Sequence, residues 1–169
     1  PGELDIPAIR GVGGSILHFI DEKSGLDDVW QVEFETADQQ GEDFGLTRVD
    51  HLAETMNYDE MLSWTLFYSS IFDLQRRPMI DVIDPDGLVR SQAMSNPDGS
   101  TRITLNGAQS HRTLAGGFLV DSMGSAVQHI ALASKDIFAS AQRMAGAGFQ
   151  PLPIPENYYD DLQARYGLD

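Results

Sequence analysis

The chain carries four histidines and no cysteine, so any metal or proton chemistry has to run through imidazoles and carboxylates. Two of the histidines sit in nearly the same words, Val49-Asp50-His51-Leu52-Ala53 and Val127-Gln128-His129-Ile130-Ala131, 78 residues apart. Three of these five positions are identical and a fourth pairs Leu with Ile. Two imidazoles and one carboxylate, with coordination positions left open, form the donor set by which non-haem Fe(II) holds a substrate and O2 side by side. A lone histidine of this kind is ordinarily a core residue hydrogen-bonded to a backbone carbonyl. A pair at equivalent places of a repeated element favours the metal reading. His18 and His111 have no such symmetry and read as structural or surface residues.

Other chemistries lack their residues. There is no Gly-x-Ser-x-Gly nucleophile elbow, no phosphate-binding loop and no His-Glu-x-x-His. The Gly11-Val12-Gly13-Gly14 stretch is not framed by a strand and a helix, as dinucleotide binding requires. Without cysteine, thiolate nucleophiles, disulfides and Cys-type zinc sites are excluded. Asp21, Glu22, Asp27 and Asp28 do not have the spacing of an EF-hand loop.

The elements that must position the two histidines follow from the pattern. Leu46 to Ala53 reads as a strand. Asn57 and Glu60 form a helix-start pair, in which the Asn side chain would accept a backbone N–H. Met61, Trp64, Tyr68, Ile71 and Phe72 recur at spacings of three and four, which predicts a helix over 58–72. Trp64, Phe67, Tyr68 and Phe72 are then core residues. Three strands are expected next, Pro78 to Ile83, Leu88 to Met94 and Thr101 to Asn106, divided by Asp84-Pro85-Asp86-Gly87 and Asn96-Pro97-Asp98-Gly99 turns. The second unit repeats the order, with a strand at Val127 to Ala131 and a helix over 136–146. A further strand is expected at Gln150 to Ile154 and a helix from Tyr158 to Tyr166. The shared His-bearing strand and the shared order make this an internal repeat of a βαβββ module.

Upstream, Ser15 to Ile20 and Val29 to Glu35 look like short strands, and a polar stretch from Glu35 to Leu46 is the expected boundary. The domain reading is therefore 1–45 as the end of a preceding module plus linker, 46–110 as one βαβββ module, and 111–169 as the start of a second, incomplete one. The fold class is α+β with paired modules.

The chain has 169 residues and a formal charge of −15. Residues 1–60 hold 15 acids against Arg10, Lys23 and Arg48, which reads as a solvated face. Such a surface repels phosphate backbones and anionic lipids, so neither nucleic acid nor membrane is an expected partner. No apolar run is long enough to span a bilayer and no signal pattern opens the chain. A soluble, cytoplasmic protein is expected, forming homo-oligomers that cover its sheet edges.

The same words carry a family resemblance. Val-Asp-His-Leu-Ala, the Asn57-to-Tyr68 helix, Gly-Leu-Val-Arg-Ser, Ile-Thr-Leu-Asn, Val-Gln-His-Ile-Ala-Leu and Pro-Ile-Pro-Glu-Asn-Tyr-Tyr-Asp-Asp-Leu resemble the catalytic half of 4-hydroxyphenylpyruvate dioxygenases, of the vicinal oxygen chelate (glyoxalase-like) superfamily. The wording, including Ile-Arg-Gly-Val-Gly-Gly-Ser, is most similar to bacterial fusions of such a region with a 3-dehydroshikimate dehydratase barrel. The resemblance implies Fe(II), or another divalent metal, on His51 and His129, with Ser91, Asn106 and Gln128 as substrate-pocket residues. Strict strand alternation would turn Gln128 away from the face of His129. It further implies an aromatic 2-oxo acid and O2 as substrates, and decarboxylation coupled to ring hydroxylation. A dehydratase barrel, where fused, would lie outside these residues. The family's third ligand, a Glu on the last strand of the final module, has no counterpart in this sequence. Asn-Gly-Ala-Gln at 106–109 replaces the family's Asn-Glu-Pro.

Overall fold

The computed structural model describes residues 3–35 and 41–167. Pro1 and Gly2 of the expected linker and residues 36–40 of the expected boundary lie outside the described residues. The described residues fall into two compact units, one built from Thr47–Ala133 with the segment up to Gly41, the other from Glu42–Leu46 with the segment from Ser134 onward.

The first unit opens with β1 (Ala8–Arg10) and β2 (Ile16–His18), an antiparallel hairpin. Strand β3 (Leu46–Asn57) leads into α2 (Met61–Ile71) after a 3-10 turn at Tyr58–Glu60. The short α1 (Val29–Glu33) precedes them. Then come β4 (Gln75–Arg76), β5 (Ile80–Asp84), β6 (Gly87–Ser95), β7 (Arg102–Ala108), α3 (Leu114–Asp121) and β8 (Ala126–Ser134). This is the strand, helix and three-strand order expected after Leu46, with the two-residue β4 added. In the sheet, β4 and β5 both pair with β6, which is followed by β7, β3 and β8. β6 runs antiparallel to β7, and β7 parallel to β3, from Leu52↔Ile103 to Asn57↔Ala108. Thr47 lies on Ala133, through its Oγ1 donating to the Ala133 carbonyl at 3.2 Å, and His51 lies beside His129. These contacts step in opposite directions along the two strands, so β3 and β8 are antiparallel.

Alternation divides β3 cleanly. Met56 on β3, Ile103 and Leu105 on β7 and Met94 on β6 face α2, where they enclose Met61 and Tyr68 with Leu74. Trp64, Phe67 and Phe72 pack at the edge of this cluster, as their helical spacing implied. Ile71 does not, being 52% exposed. A Cβ on Gly107 would stand 2.9 Å from Met61 Sδ and 3.3 Å from Tyr58 Cα, so β7 lies close to the start of α2 there. On the opposite face, α3 covers the far end of the sheet, Ala115 and Leu119 packing on Val89 and Ala108.

Several expectations are corrected. Val29 to Glu35 does not form a strand. Leu26–Asp28 is a 3-10 turn entered through left-handed Gly25, and Val29–Glu33 continues it as helix, with the Trp30 and Phe34 rings 5.1 Å apart across one turn. Asn57 does not cap α2 through a backbone N–H; its Nδ2 donates to Glu60 Oε1 at 2.8 Å. Gln150 to Ile154 is irregular chain, because Pro151, Pro153 and Pro155 remove every second donor a ladder would need. In the second unit, α4 (Ile137–Gly146) is capped by Asp136, whose Oδ1 accepts from the N–H groups of Phe138 and Ala139, and α5 (Glu156–Tyr166) ends on left-handed Gly167.

Candidate metal centre

β3 and β8 are hydrogen-bonded neighbours in the sheet, and the antiparallel register puts His51 level with His129. Their ring centroids are 5.7 Å apart and the rings stand at 76° to one another, edge to face. His51 is half-buried and His129 exposed. The start of β8 is tied to the end of β3 by Glu60, which takes hydrogen bonds from Asn57 Nδ2 and from Ser125 Oγ at 2.9 and 3.0 Å. Burial pushes the Glu60 carboxyl up, but these hydrogen bonds outweigh it and hold the group below the ordinary range.

His51 has a carboxylate partner. Its Nδ1 lies 2.9 Å from Asp50 Oδ2, the same oxygen that accepts from Arg102 Nη1 at 3.0 Å; Arg48 Nη2 approaches Asp50 Oδ1 at 3.4 Å. The hydrogen bond from His51 and the nearby guanidinium charges hold the Asp50 carboxyl below its usual value. A cavity of about 270 Å³ bears on this group, walled by Leu17, Leu52, Tyr68, Phe72, Leu74 and Ile103.

Two imidazoles this close could serve as adjacent ligands of a divalent metal such as Fe(II), Co(II), Mn(II) or Zn(II). Among the described residues no group of three His, Asp or Glu converges. The pair alone could supply two positions of a coordination sphere, with the others left to further ligands.

The other three candidates are spread along the sheet. Ser91 and Asn106 are direct register partners on β6 and β7, and Asn106 is in turn the partner of Thr55 on β3. Cross-strand partners share a face, and Thr55 is four residues along the strand from His51. The Ser91–Asn106–Thr55 row thus lies on the face of His51, about 13 Å farther along at 3.3 Å per residue. Ala53, Thr104 and Ala93 form the row between. Gln128 directly precedes His129 on β8, so alternation sends it to the other face. The sequence reading missed Asp50 and Arg102 as a set. Their signal was a carboxylate immediately before a candidate ligand, but Arg102 could be placed beside it only by the parallel register of β3 with β7.

A protein whose paired strands bring two equivalent histidines together on a βαβββ sheet belongs to a recognisable class. The chain is a member of the Glyoxalase/Bleomycin resistance protein/Dioxygenase superfamily, whose family model matches residues 48–166. Within it, the whole chain is 39% identical to a 3-dehydroshikimate dehydratase of Pseudomonas aeruginosa, of which it covers 27%. It is 30% identical over 97% of its length to a 4-hydroxyphenylpyruvate dioxygenase of the same organism, covering 46% of that protein. A solved xylose isomerase-like TIM barrel/4-hydroxyphenylpyruvate dioxygenase fusion protein superposes on the whole chain with a TM-score of 0.72 at 33% identity, the chain accounting for 26% of it. The chain thus spans between a quarter and a half of the length of these relatives.

Proposed function

We propose that this chain is a metal-dependent dioxygenase-type domain acting on an aromatic 2-oxo acid, with one divalent metal, Fe(II) in the native protein, on His51 and His129. The observation that carries the reading is the 5.7 Å approach of two imidazoles from equivalent strands of a repeat. Membership of a superfamily with dioxygenase members supports it. Bound iron would supply electrons for O2 and adjacent open positions for the 2-oxo acid. The chain's own residues do the rest. His51 and His129 hold the metal on one end of the sheet. Ser91 and Asn106, a polar pair on the same face, take the hydrogen-bonding end of a ring substituent. Gln128, on the other face of β8, ranks behind them as a substrate contact. In this reading residues 46–110 are one module and 111–169 begin the second, with 1–45 closing a preceding one, and the protein works in the cytoplasm as a homo-oligomer.

A second reading rests on the higher identity to the dehydratase than to the dioxygenase. Here the domain is an accessory part of a bifunctional 3-dehydroshikimate dehydratase whose catalytic barrel lies outside these residues. Oxygen uptake separates the two. The protein loaded with Fe(II) without air and then given 4-hydroxyphenylpyruvate and related aromatic 2-oxo acids should consume O2 in proportion to substrate, and His51→Ala should not. Uptake at the blank level with every such acid would sink the first reading.

A further inference from the structure

Among the described residues a carboxylate, Asp50, contacts the histidine pair directly, and its geometry assigns it a task. Adjacent residues on a strand ordinarily point to opposite faces, yet the short Asp50 side chain folds back so that Oδ2 sits 2.9 Å from His51 Nδ1. The carboxylate does not choose this place alone. Arg102 precedes Ile103, the register partner of Leu52, so the parallel pairing brings Arg102 level with His51 and its Nη1 onto the same Oδ2 at 3.0 Å. Arg48, two residues back on β3, reaches the other oxygen at 3.4 Å. Two guanidinium groups therefore neutralise and fix a carboxylate whose free lone pair faces one imidazole nitrogen.

An ionised carboxylate only accepts hydrogen bonds, so the ring nitrogen facing it must carry the proton. In a neutral imidazole the other nitrogen then holds the lone pair. We propose that Asp50, braced by Arg102 and Arg48, is the positioning residue of the centre: it keeps the His51 proton on Nδ1, fixes the ring, and presents Nε2 as the metal-binding atom. The proposal deepens the metal reading and rests on it. Carboxylates that hold a ligand histidine in this way raise its basicity, and their loss costs about 10- to 100-fold in metal affinity.

The test begins without metal. In the 15N-labelled full chain near neutral pH, two-bond proton–nitrogen correlations of His51 should show Nδ1 protonated and Nε2 bare. Asp50→Ala should release that preference, and Asp50→Asn, whose side-chain oxygen still accepts, should keep it. Co(II) titrations of the same proteins should show affinity about 10- to 100-fold weaker in Asp50→Ala and close to wild type in Asp50→Asn. A wild-type His51 with its proton on Nε2 overturns the proposal, and so does an Asp50→Ala protein with unchanged tautomer and unchanged affinity. A wild-type chain that shows the expected tautomer and takes up no Co(II) overturns the metal reading instead, and with it the assignment of Nε2 as a ligand.

Discussion

Glu54 is the most exposing single residue for this fold's electrostatics, because it lies on the helix-facing side of β3 with 2% of its surface accessible. Its Oε1 accepts from the Tyr68 hydroxyl at 2.7 Å, while Oε2 is buried with no partner among the described residues. Burial raises the Glu54 carboxyl above its ordinary 4.5, the Tyr68 hydrogen bond only partly opposing it. Burial and the Glu54 charge likewise push the Tyr68 hydroxyl up. A carboxyl whose folded pKa is raised stabilises the fold fully below its unfolded value, and that contribution is lost as pH rises through the folded one. Wild-type stability should therefore fall as pH climbs above the ordinary carboxyl value of 4.5, and Glu54→Gln should fall less. Urea midpoints at pH 5 and pH 8 measure this difference, and equal slopes for the two proteins would refute a raised Glu54. Tyr68→Phe removes the one partner and strands both carboxyl oxygens. It should cost about 1–3 kcal/mol at pH 5, read from the same midpoints.

At the scale of elements, what was legible in the sequence depended on whether local pattern and tertiary contact agreed. The β3–α2–β5–β6–β7 run was readable because its apolar spacing, its Asp84-Pro85-Asp86-Gly87 turn and its Asn96-Pro97-Asp98-Gly99 turn all point the same way. Gly99 indeed adopts φ 72°. Helix α3 was not readable, since Leu114-Ala115-Gly116-Gly117 is a poor helix sequence with two glycines. It forms because Thr113 Oγ1 accepts from the Gly116 N–H at 3.0 Å and because a bare Cα at Gly116 lets the helix lie against the backbone of Ser110 and His111. An added Cβ there would stand 2.1 Å from the Ser110 carbonyl oxygen and 2.6 Å from His111 Cα. Gly116→Ala should thus destabilise in spite of a helix-propensity gain of about 1 kcal/mol. Thr113→Ala should cost about 1 kcal/mol through the lost cap. Chemical denaturation of both variants checks the order, Gly116→Ala the more damaged; a stabilised Gly116→Ala would mean that α3 does not sit this close. The same logic explains the Val29 stretch, where a preceding left-handed glycine and an aromatic pair one turn apart override a strand-like composition.

At the scale of the molecule, one five-residue word, used twice in the sequence, lies on β3 and β8, antiparallel neighbours in one sheet, and its two histidine rings stand 5.7 Å apart, edge to face. The Ser91–Asn106 pairing was not available from the sequence, because it depends on the β6–β7 register. The partnership of Asp50 with Arg102 was hidden for the same kind of reason. No helix among the described residues is long and apolar enough to cross a membrane. The central claim is that His51 and His129 share one divalent ion, and Co(II) uptake by equilibrium dialysis tests it most directly. The account predicts about one Co(II) bound per wild-type chain, falling to background in His51→Ala and equally in His129→Ala, with both variants folded by circular dichroism. Metal retained in either single variant, or background uptake by the wild type, would contradict it.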